Sequence, residues 1–235
     1  EENYLWVSNQ VAFNLMQEGM VPPATSDSAN NMFFNMIDAQ LTTEIFGLFA
    51  PTNKKTALQM ARLPIRTAAS RDAAKIAEFY VIIHALASAS DTTKPIKDRI
   101  FWMASQAREH LEESSYEADM YDFVKHEYEK GKSWEHTRNA IYKRYQVKEK
   151  AGYHITSRHM HCNGCFAAGI NFASSMVSLF YGEGDLKETI KIGTLCGWDS
   201  DNPTATWGGL IGFMIGKDGV EAAFGRTFSN QFNIH

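Results

Sequence analysis

Hydrophobic residues recur along most of this chain at steps of three and four positions, the spacing that places side chains on one face of an α-helix. Glycine, proline and short runs of Ser, Thr, Asp and Asn interrupt the pattern, as they do at helix ends. No stretch of any length alternates apolar and polar residues as a β-strand would. Helices are predicted over 7–16, 32–48, 54–62, 71–89, three segments within 96–147, 166–181, 186–195 and from Asn202 onward. The sequence therefore predicts an all-α fold.

The predicted helices differ in polarity, which suggests their positions in the fold. Segment 166–181 is apolar on nearly all faces and contains small residues that allow close helix approach, a pattern typical of a central buried helix. Segment 96–150 is the most charged part of the chain and is predicted to be a peripheral helical insertion. We interpret residues 1–235 as a single α-helical domain.

Composition and charge narrow the possible functions. The 235 residues are 44% hydrophobic and 21% charged, which is typical of a globular chain. With 23 basic and 27 acidic residues, the chain lacks the one-signed field that binds nucleic acid or anionic membranes. No apolar run approaches the roughly 18 residues of a membrane span. We expect a soluble protein, either cytoplasmic or mature secreted, and its three cysteines are too few for a disulfide framework.

An acidic bend at 197–206 carries the candidate chemistry. Asp199 and Asp201 lie two positions apart and Asn202 follows, in a tight turn between two largely apolar helices. Oxygen donors without imidazole or thiolate favour a hard ion such as Mg²⁺, Mn²⁺ or Ca²⁺. Asp and Asn before a helix are also ordinary capping residues, with Asn202 as the cap and Pro203 at the first helical position. Spacing alone leaves both interpretations open.

The string 197–202, followed by the small residues of 204–216, resembles the C-terminal metal motif of the ADP-ribosylglycohydrolase family, typically Gly-Gly-Asp-x-Asp-Thr ahead of a Gly- and Ala-rich helix. Segments 171–195 and 37–48 resemble other helices of the same family, so the resemblance covers most of the chain. It implies a compact orthogonal bundle of helices. It also implies metal-dependent hydrolysis of an N- or O-glycosidic bond, with an ADP-ribosylated molecule or a related N-glycoside as substrate.

The resemblance assigns roles to the acidic bend. Asp199 and Asp201 match the family's metal-binding carboxylates and are the expected catalytic residues, and Asn202 replaces a threonine that binds the same ion. The family's second motif, of Thr-Asp-Asp type, completes a site for two Mg²⁺ or Mn²⁺ ions, but this chain has no Asp-Asp pair. We therefore expect a fragment of a longer protein, or one chain of a cleaved protein whose second chain is its partner.

Asp38 and Gln40 are the candidate substrate-binding residues. They form a polar pair within the apolar helix predicted over 32–48, and such a pair is able to face a substrate cleft. A single polar residue in a helix more often hydrogen-bonds a neighbouring element. Glu44 lies six positions after Asp38, on a different helical face, so these two carboxylates are not expected to act together.

A second candidate site is the string 159–165, in which His159 and His161 precede the Cys162-x-x-Cys165 pair. Zinc sites and redox pairs use such spacings, but no second ligand cluster and no preceding strand accompany this one. Packing is the favoured interpretation of both cysteines, with zinc or redox chemistry as the alternative. His84, on an apolar helix, is predicted to be a hydrogen-bonded core residue.

The sequence leaves two candidate functions. The first is a metal-dependent glycoside hydrolase that cleaves an ADP-ribosyl bond. The second is a non-catalytic relative that keeps the fold for binding or structure, as the lens crystallins related to this family do. A complete metal site favours the enzyme, whereas an acidic bend filled by water or a lysine favours the binding protein.

Overall fold

The computed structural model describes residues 5–155 and 162–231, and helices dominate both ranges. No strand forms within these ranges, which contain only an isolated bridge between Met36 and Ala167. The all-α prediction is confirmed. The helices are α1 Val7–Gln17, α2 Asp38–Thr43, α3 Ile45–Phe49, α4 Lys54–Ala68, α5 Arg71–Ala87, α6 Ile96–Arg108, α7 Tyr116–Glu129, α8 Trp134–Ile141, α9 Ala168–Gly182, α10 Leu186–Cys196 and α11 Asp201–Phe224.

Helix α9 lies at the centre of the fold, as the apolar segment 166–181 predicted. Nearly all of its residues are buried, and it contacts α5, α7, α8, α10 and α11. Aromatic rings fill the interface with α5, where Phe172 packs edge-to-face on Phe79 with ring centroids 5.0 Å apart. The indole of Trp207, from α11, lies 5.3 Å from the ring of Tyr80 and donates a hydrogen bond to the Ser175 carbonyl at 2.9 Å. These contacts hold α11, and with it the acidic bend, against the core.

The long helix predicted over 32–48 is not present. Residues 31–37 form turns, and helical structure is limited to α2 and α3, which meet at Glu44. The backbone before α2 pairs with the segment that leads into α9: Ala168 N donates to Asn35 O, and Ile37 N donates to Phe166 O, each at 3.0 Å. This pairing takes the backbone out of the helical conformation, and it brings the first residue of α2, Asp38, beside the start of α9.

The start of α11 also differs from its prediction. Ser200, not Asn202, occupies the N-cap, and α11 begins at Asp201. Asn202 and Pro203 therefore lie in the first helical turn. The N–H groups of this turn have no intrahelical partner, so the missing N–H of proline costs no hydrogen bond. The Asn202 N–H donates to the Asp199 carbonyl at 3.1 Å, which closes the bend on itself. Farther along, α11 is kinked at Gly216, whose φ is 71°.

The charged segment 96–150 contains α6, α7 and α8. Its apolar stripes face inward, and α7 runs along α9 with Met120 and Val124 fully buried. The exposed faces contain its ion pairs, such as the Arg108 guanidinium with Asp122 at 2.7 Å. Among the helices of the described ranges, none is both long and apolar enough to cross a membrane.

Candidate active site

The acidic bend occupies residues 197–202, between α10 and α11. Gly197 and Trp198 both have left-handed backbone conformations, with φ of 91° and 59°. A Cβ on residue 197 would lie 3.1 Å from the Arg138 guanidinium, so glycine suits both the space and the backbone there. Arg138 donates to the Cys196 carbonyl at 2.7 Å and stacks over the Trp198 ring at 5.0 Å. These contacts reverse the chain direction and present Asp199 at the surface of the core.

Asn171, a buried residue of α9, supports the bend from below. Its side-chain oxygen accepts a hydrogen bond from the Asp199 backbone N–H at 3.2 Å. Its amide nitrogen donates to the Cys165 carbonyl at 2.5 Å and to the Ala167 carbonyl at 2.9 Å. Both ends of this side chain are therefore occupied, and Asn171 connects the start of α9 to the acidic bend. Sequence reasoning did not identify it as part of the site.

Asp199, Asp201 and Asn202 line one small cavity of about 200 Å³. Its other walls are Trp6, Leu41 and Phe166, and the rings of Trp6 and Phe166 pack edge-to-face with centroids 4.8 Å apart. The three oxygen-bearing side chains of the predicted metal site thus converge on a common space. The apolar wall was not predicted, because its residues come from three segments far apart in the sequence.

The two carboxyl groups of the bend lie close together. The pKa of Asp199 is raised to about 6, first by burial and then by a hydrogen bond with Asp201 and by the charge of that residue. The charge of Asp38 raises the pKa further, whereas a hydrogen bond with Asn202 opposes the shift. Burial and the neighbouring carboxylates thus disfavour the charged form of Asp199. A proton or a cation between the carboxylates relieves that repulsion.

Asp38 is the first residue of α2 and is only 1% exposed. Its Oδ1 accepts a hydrogen bond from the Asn9 backbone N–H at 3.3 Å, while Oδ2 has no hydrogen-bond partner among the described residues. Burial raises the pKa of this carboxyl, and the nearby polar groups of Ser8 and Asn9 act against that rise. Asp38 therefore lies near enough to influence Asp199 electrostatically, although it is not one of the residues that line the cavity.

Gln40 occupies a different environment from the cavity. It is 2% exposed, and its amide nitrogen lies 3.4 Å from the Thr206 hydroxyl, which donates to the Glu44 carboxylate at 3.0 Å. Burial raises the pKa of Glu44 to about 7, and the Thr206 hydrogen bond lowers it in part. Gln40, Thr206 and Glu44 thus form a polar chain between α2 and α11, and the role of Gln40 in substrate binding stays a prediction.

The residues of the bend offer a hard divalent ion a small set of oxygen donors. Within 5–155 and 162–231, no group of three or more His, Cys, Asp or Glu side chains is arranged to hold a metal ion. Asp199 and Asp201 supply two carboxylates, and Asn202 supplies an amide oxygen. Mg²⁺ is commonly bound through one or two carboxylates with waters and substrate oxygens completing its shell. This donor set is therefore sufficient for such an ion, although metal binding itself stays a prediction.

The second candidate site, at Cys162 and Cys165, differs from the favoured interpretation. Cys162 and Cys165 are joined by a disulfide bond, with their Cα atoms 5.4 Å apart, so the packing interpretation of these cysteines is wrong. Cys196 is a buried free thiol. His159 and His161 lie outside the described residues. His84 is a core residue as predicted: Nδ1 lies 2.7 Å from the Tyr80 carbonyl, and burial lowers the pKa of this histidine to about 4.

Two features of the structure point to one family of proteins. These are the all-α fold and the acidic bend before a Gly- and Ala-rich helix. The family model described as ADP-ribosylglycohydrolase matches residues 6–229, nearly the whole chain. The chain belongs to the ADP-ribosylglycohydrolase family, as its motif predicted. Membership indicates a glycosyl hydrolase of ADP-ribose linkages and implies ADP-ribosylated substrates. No curated protein and no solved structure matches the chain significantly.

Proposed function

We propose that this protein is a divalent-cation-dependent hydrolase that cleaves the N- or O-glycosidic bond at the C1″ carbon of an ADP-ribosyl group. The observation that carries the proposal is the convergence of Asp199, Asp201 and Asn202 on one cavity, where the pKa of Asp199 is raised to about 6. Helix capping requires one residue at the N-cap, and Ser200 occupies that position. A bound Mg²⁺ or Mn²⁺ ion would orient the ribose hydroxyls and a water molecule here.

The volume of the cavity limits which part of the substrate enters it. Drug-sized ligands occupy pockets of roughly 300–1,000 Å³, whereas this cavity is about 200 Å³. It therefore suits the terminal ribosyl ring, with the remainder of the ADP-ribosyl group along the surface outside. Trp6, Leu41 and Phe166 offer that ring an apolar wall.

The carboxylates account for the bond cleavage. As the C1″ bond to nitrogen or oxygen breaks, its electron pair leaves with the acceptor group and positive charge develops on the ribose ring. The charges of Asp199, Asp201 and Asp38 stabilise that positive charge. A carboxylate of the bend accepts a proton from the attacking water, the resulting hydroxyl bonds to C1″, and the carboxylate passes the same proton to the leaving group. The products are free ADP-ribose and the unmodified acceptor.

Cation binding tests the site directly. At a Mn²⁺ concentration of about 100 times Kd, stabilisation amounts to about 2.7 kcal/mol, or roughly 5–10 °C in melting temperature for a chain of this size. We expect the double variant Asp199→Ala with Asp201→Ala to lose this shift and to lose at least about 100-fold in release of ADP-ribose from an ADP-ribosylated peptide. The measurements are thermal unfolding with and without Mn²⁺ or Mg²⁺, and an assay for released ADP-ribose.

A matched control removes two carboxylates elsewhere. Glu135 and Asp218 are exposed, so the variant Glu135→Ala with Asp218→Ala should keep both the Mn²⁺ response and the activity. An undiminished Mn²⁺ shift in the Asp199 and Asp201 double variant would contradict the site assignment. A full Mn²⁺ response without any hydrolysis would favour the second candidate, a non-catalytic relative that binds its ligand without cleaving it.

A further inference from the structure

The turn between Cys162 and Cys165 lies directly before α9 and is closed by the disulfide bond. Inside it, Asn163 and Gly164 both have left-handed backbone conformations, with φ of 49° and 85°. The Cys165 N–H donates to the Cys162 carbonyl at 3.2 Å. Asn-Gly is the residue pair that most readily adopts positive φ at two consecutive turn positions, and the disulfide closes this turn covalently. Both cysteines are half-buried, so a small reductant is able to reach them.

One connection runs from this turn to the acidic bend through a single side chain. The Cys165 carbonyl accepts a hydrogen bond from Asn171 Nδ2, and Asn171 Oδ1 accepts one from the Asp199 backbone N–H. Asn171 is 1% exposed, so these bonds have no competition from bulk water. The position of the Cys165 carbonyl therefore helps to set the orientation of the amide that holds Asp199.

A second connection runs through the residue that follows the turn. The Phe166 ring is a wall of the cavity and packs on Trp6, while the Phe166 carbonyl accepts a hydrogen bond from the Ile37 N–H at 3.0 Å. Ile37 immediately precedes Asp38. The conformation of the turn thus bears on the cavity wall and on the start of α2, independently of Asn171.

We propose that Asn171 is a positioning residue that couples the acidic bend to the Cys162–Cys165 turn, and that reduction of this disulfide loosens the bend and weakens its binding of a divalent cation. This regulation of the site rests on the proposed function. A dithiol supplies two electrons and two protons, the sulfur–sulfur bond breaks to give two thiols, and the dithiol becomes its own disulfide. Without the covalent closure, the turn is held by its own hydrogen bond from the Cys165 N–H to the Cys162 carbonyl, and the Cys165 carbonyl is less firmly fixed against Asn171.

Thiol counting establishes the starting state. The chain has three cysteines, and Cys196 is free. We therefore expect one alkylated thiol in the denatured, unreduced protein and three after treatment with dithiothreitol, as measured by mass spectrometry. Three thiols before reduction, in protein purified without reductant and exposed to air, would overturn the proposal.

Hydrogen exchange tests the coupling without any metal. In the full chain, desalted anaerobically after reduction, amide exchange in a peptide that covers 197–202 should accelerate about fivefold, the factor that corresponds to one lost hydrogen bond. Exchange in a peptide of α6 should not change. Equal exchange of 197–202 in both redox states would overturn the proposal whatever the metal measurements show.

Titration with Mn²⁺ alone, followed by calorimetry, gives a second readout. Reduction, or the variant Cys162→Ser with Cys165→Ser, should weaken Mn²⁺ binding about fivefold. Asn171→Ala should weaken it by a similar factor and remove most of the response to reduction. Ser174→Ala is the matched control, because Ser174 is also buried on α9 and its hydroxyl donates to the Asn171 carbonyl, its one hydrogen bond within the described part of the chain. This variant should bind Mn²⁺ normally and keep the redox response.

The outcomes separate the coupling from the function. Faster exchange together with weaker Mn²⁺ binding supports the proposal. Faster exchange with no Mn²⁺ binding in either state supports the coupling but contradicts the proposed function. Equal losses in Asn171→Ala and Ser174→Ala would assign the effect to general damage of α9 and overturn the positioning role.

Discussion

The surroundings of Asp199 move the pKa of its carboxyl far from the ordinary value for aspartate. The pKa of its carboxyl rises to about 6 because the bend is partly shielded from water and because Asp201 lies within hydrogen-bonding distance. A raised carboxyl pKa means that folding favours the protonated form. The associated stability is therefore present at low pH and is lost as the pH rises through about 6. Without a bound metal, the ionised Asp199 therefore lowers the free energy of unfolding at neutral pH.

This leads to a prediction for Asp199→Asn. In chelator-treated protein at pH 8, removal of the charge should increase the free energy of unfolding by about 1 kcal/mol, a value discounted for partial solvent screening. At pH 4.5 the gain should largely disappear, because the wild-type carboxyl is then mostly protonated. Urea unfolding at both pH values measures the difference. Asp218→Asn, at an exposed position, should be neutral, and a loss of stability at pH 8 in Asp199→Asn would refute the argument.

At the scale of elements, helices α3 and α5 approach so closely that only glycine fits at one position between them. Helix α3 crosses α5 at Gly47, where an added Cβ would lie 2.6 Å from His84 Cβ and 2.7 Å from Ala85 N. Real Cβ atoms do not approach other heavy atoms so closely, so one helix would have to move. The short helices α2 and α3, and with them Asp38 and Glu44, keep their positions because this crossing is tight.

We predict that Gly47→Ala destabilises the protein by at least about 2 kcal/mol, because overpacking moves α3 away from α5. The matched control is Gly209→Ala on α11, where a Cβ would meet nothing within 4 Å. There the higher helix propensity of alanine should stabilise the protein by about 0.5–1 kcal/mol. Guanidinium unfolding of both variants measures the two effects, and similar values in the two would contradict this account of the crossing.

Segment 32–48 shows why the spacing of apolar residues does not fix the bounds of a helix. Its spacing from Met32 to Leu48 fits one helix, yet residues 31–37 form turns, and 35–37 pair with the backbone that enters α9. Spacing reports which side chains are buried along one segment, but it carries no information on a partner more than a hundred residues away. The helix cap at Asn202 was misplaced for a different reason: Ser200, two positions earlier, is also of a residue type that precedes helices, and spacing does not choose between the two.

At the scale of the whole molecule, two further carboxyl groups link stability to pH. The pKa of Glu117, which is 1% exposed, rises to about 7, first through burial and secondarily through the charge of Asp72. The pKa of Glu44 also rises to about 7, mainly through burial. Both shifts favour the protonated form in the folded state. Their contribution is lost as the pH rises through about 7, whereas that of His84, whose pKa is lowered to about 4, is complete above pH 6.5.

We therefore predict that the metal-free protein loses about 1 kcal/mol or more of stability between pH 6.5 and 8.5. Glu117→Gln should be more stable than wild type at pH 8.5 and close to it at pH 4.5, near the pKa of the unfolded carboxyl, so its pH dependence is flatter. The exposed Glu18, changed to Gln, should leave the profile unaltered. Urea unfolding across this range is the measurement, and a wild-type profile that rises with pH would refute the prediction.

The sequence by itself determined the helical class, the central position of segment 166–181 and the acidic pair in the bend, because helix periodicity and the cost of burying carboxylates act over short stretches of chain. Only the tertiary structure decided what surrounds that pair: the Asn171 amide beneath Asp199, the wall of Trp6 and Phe166, the nearby charge of Asp38 and the disulfide that closes the turn before α9. These neighbours come from segments far apart in the chain. Their meeting depends on how helices pack and where the backbone turns, which the spacing of residues within one segment does not specify.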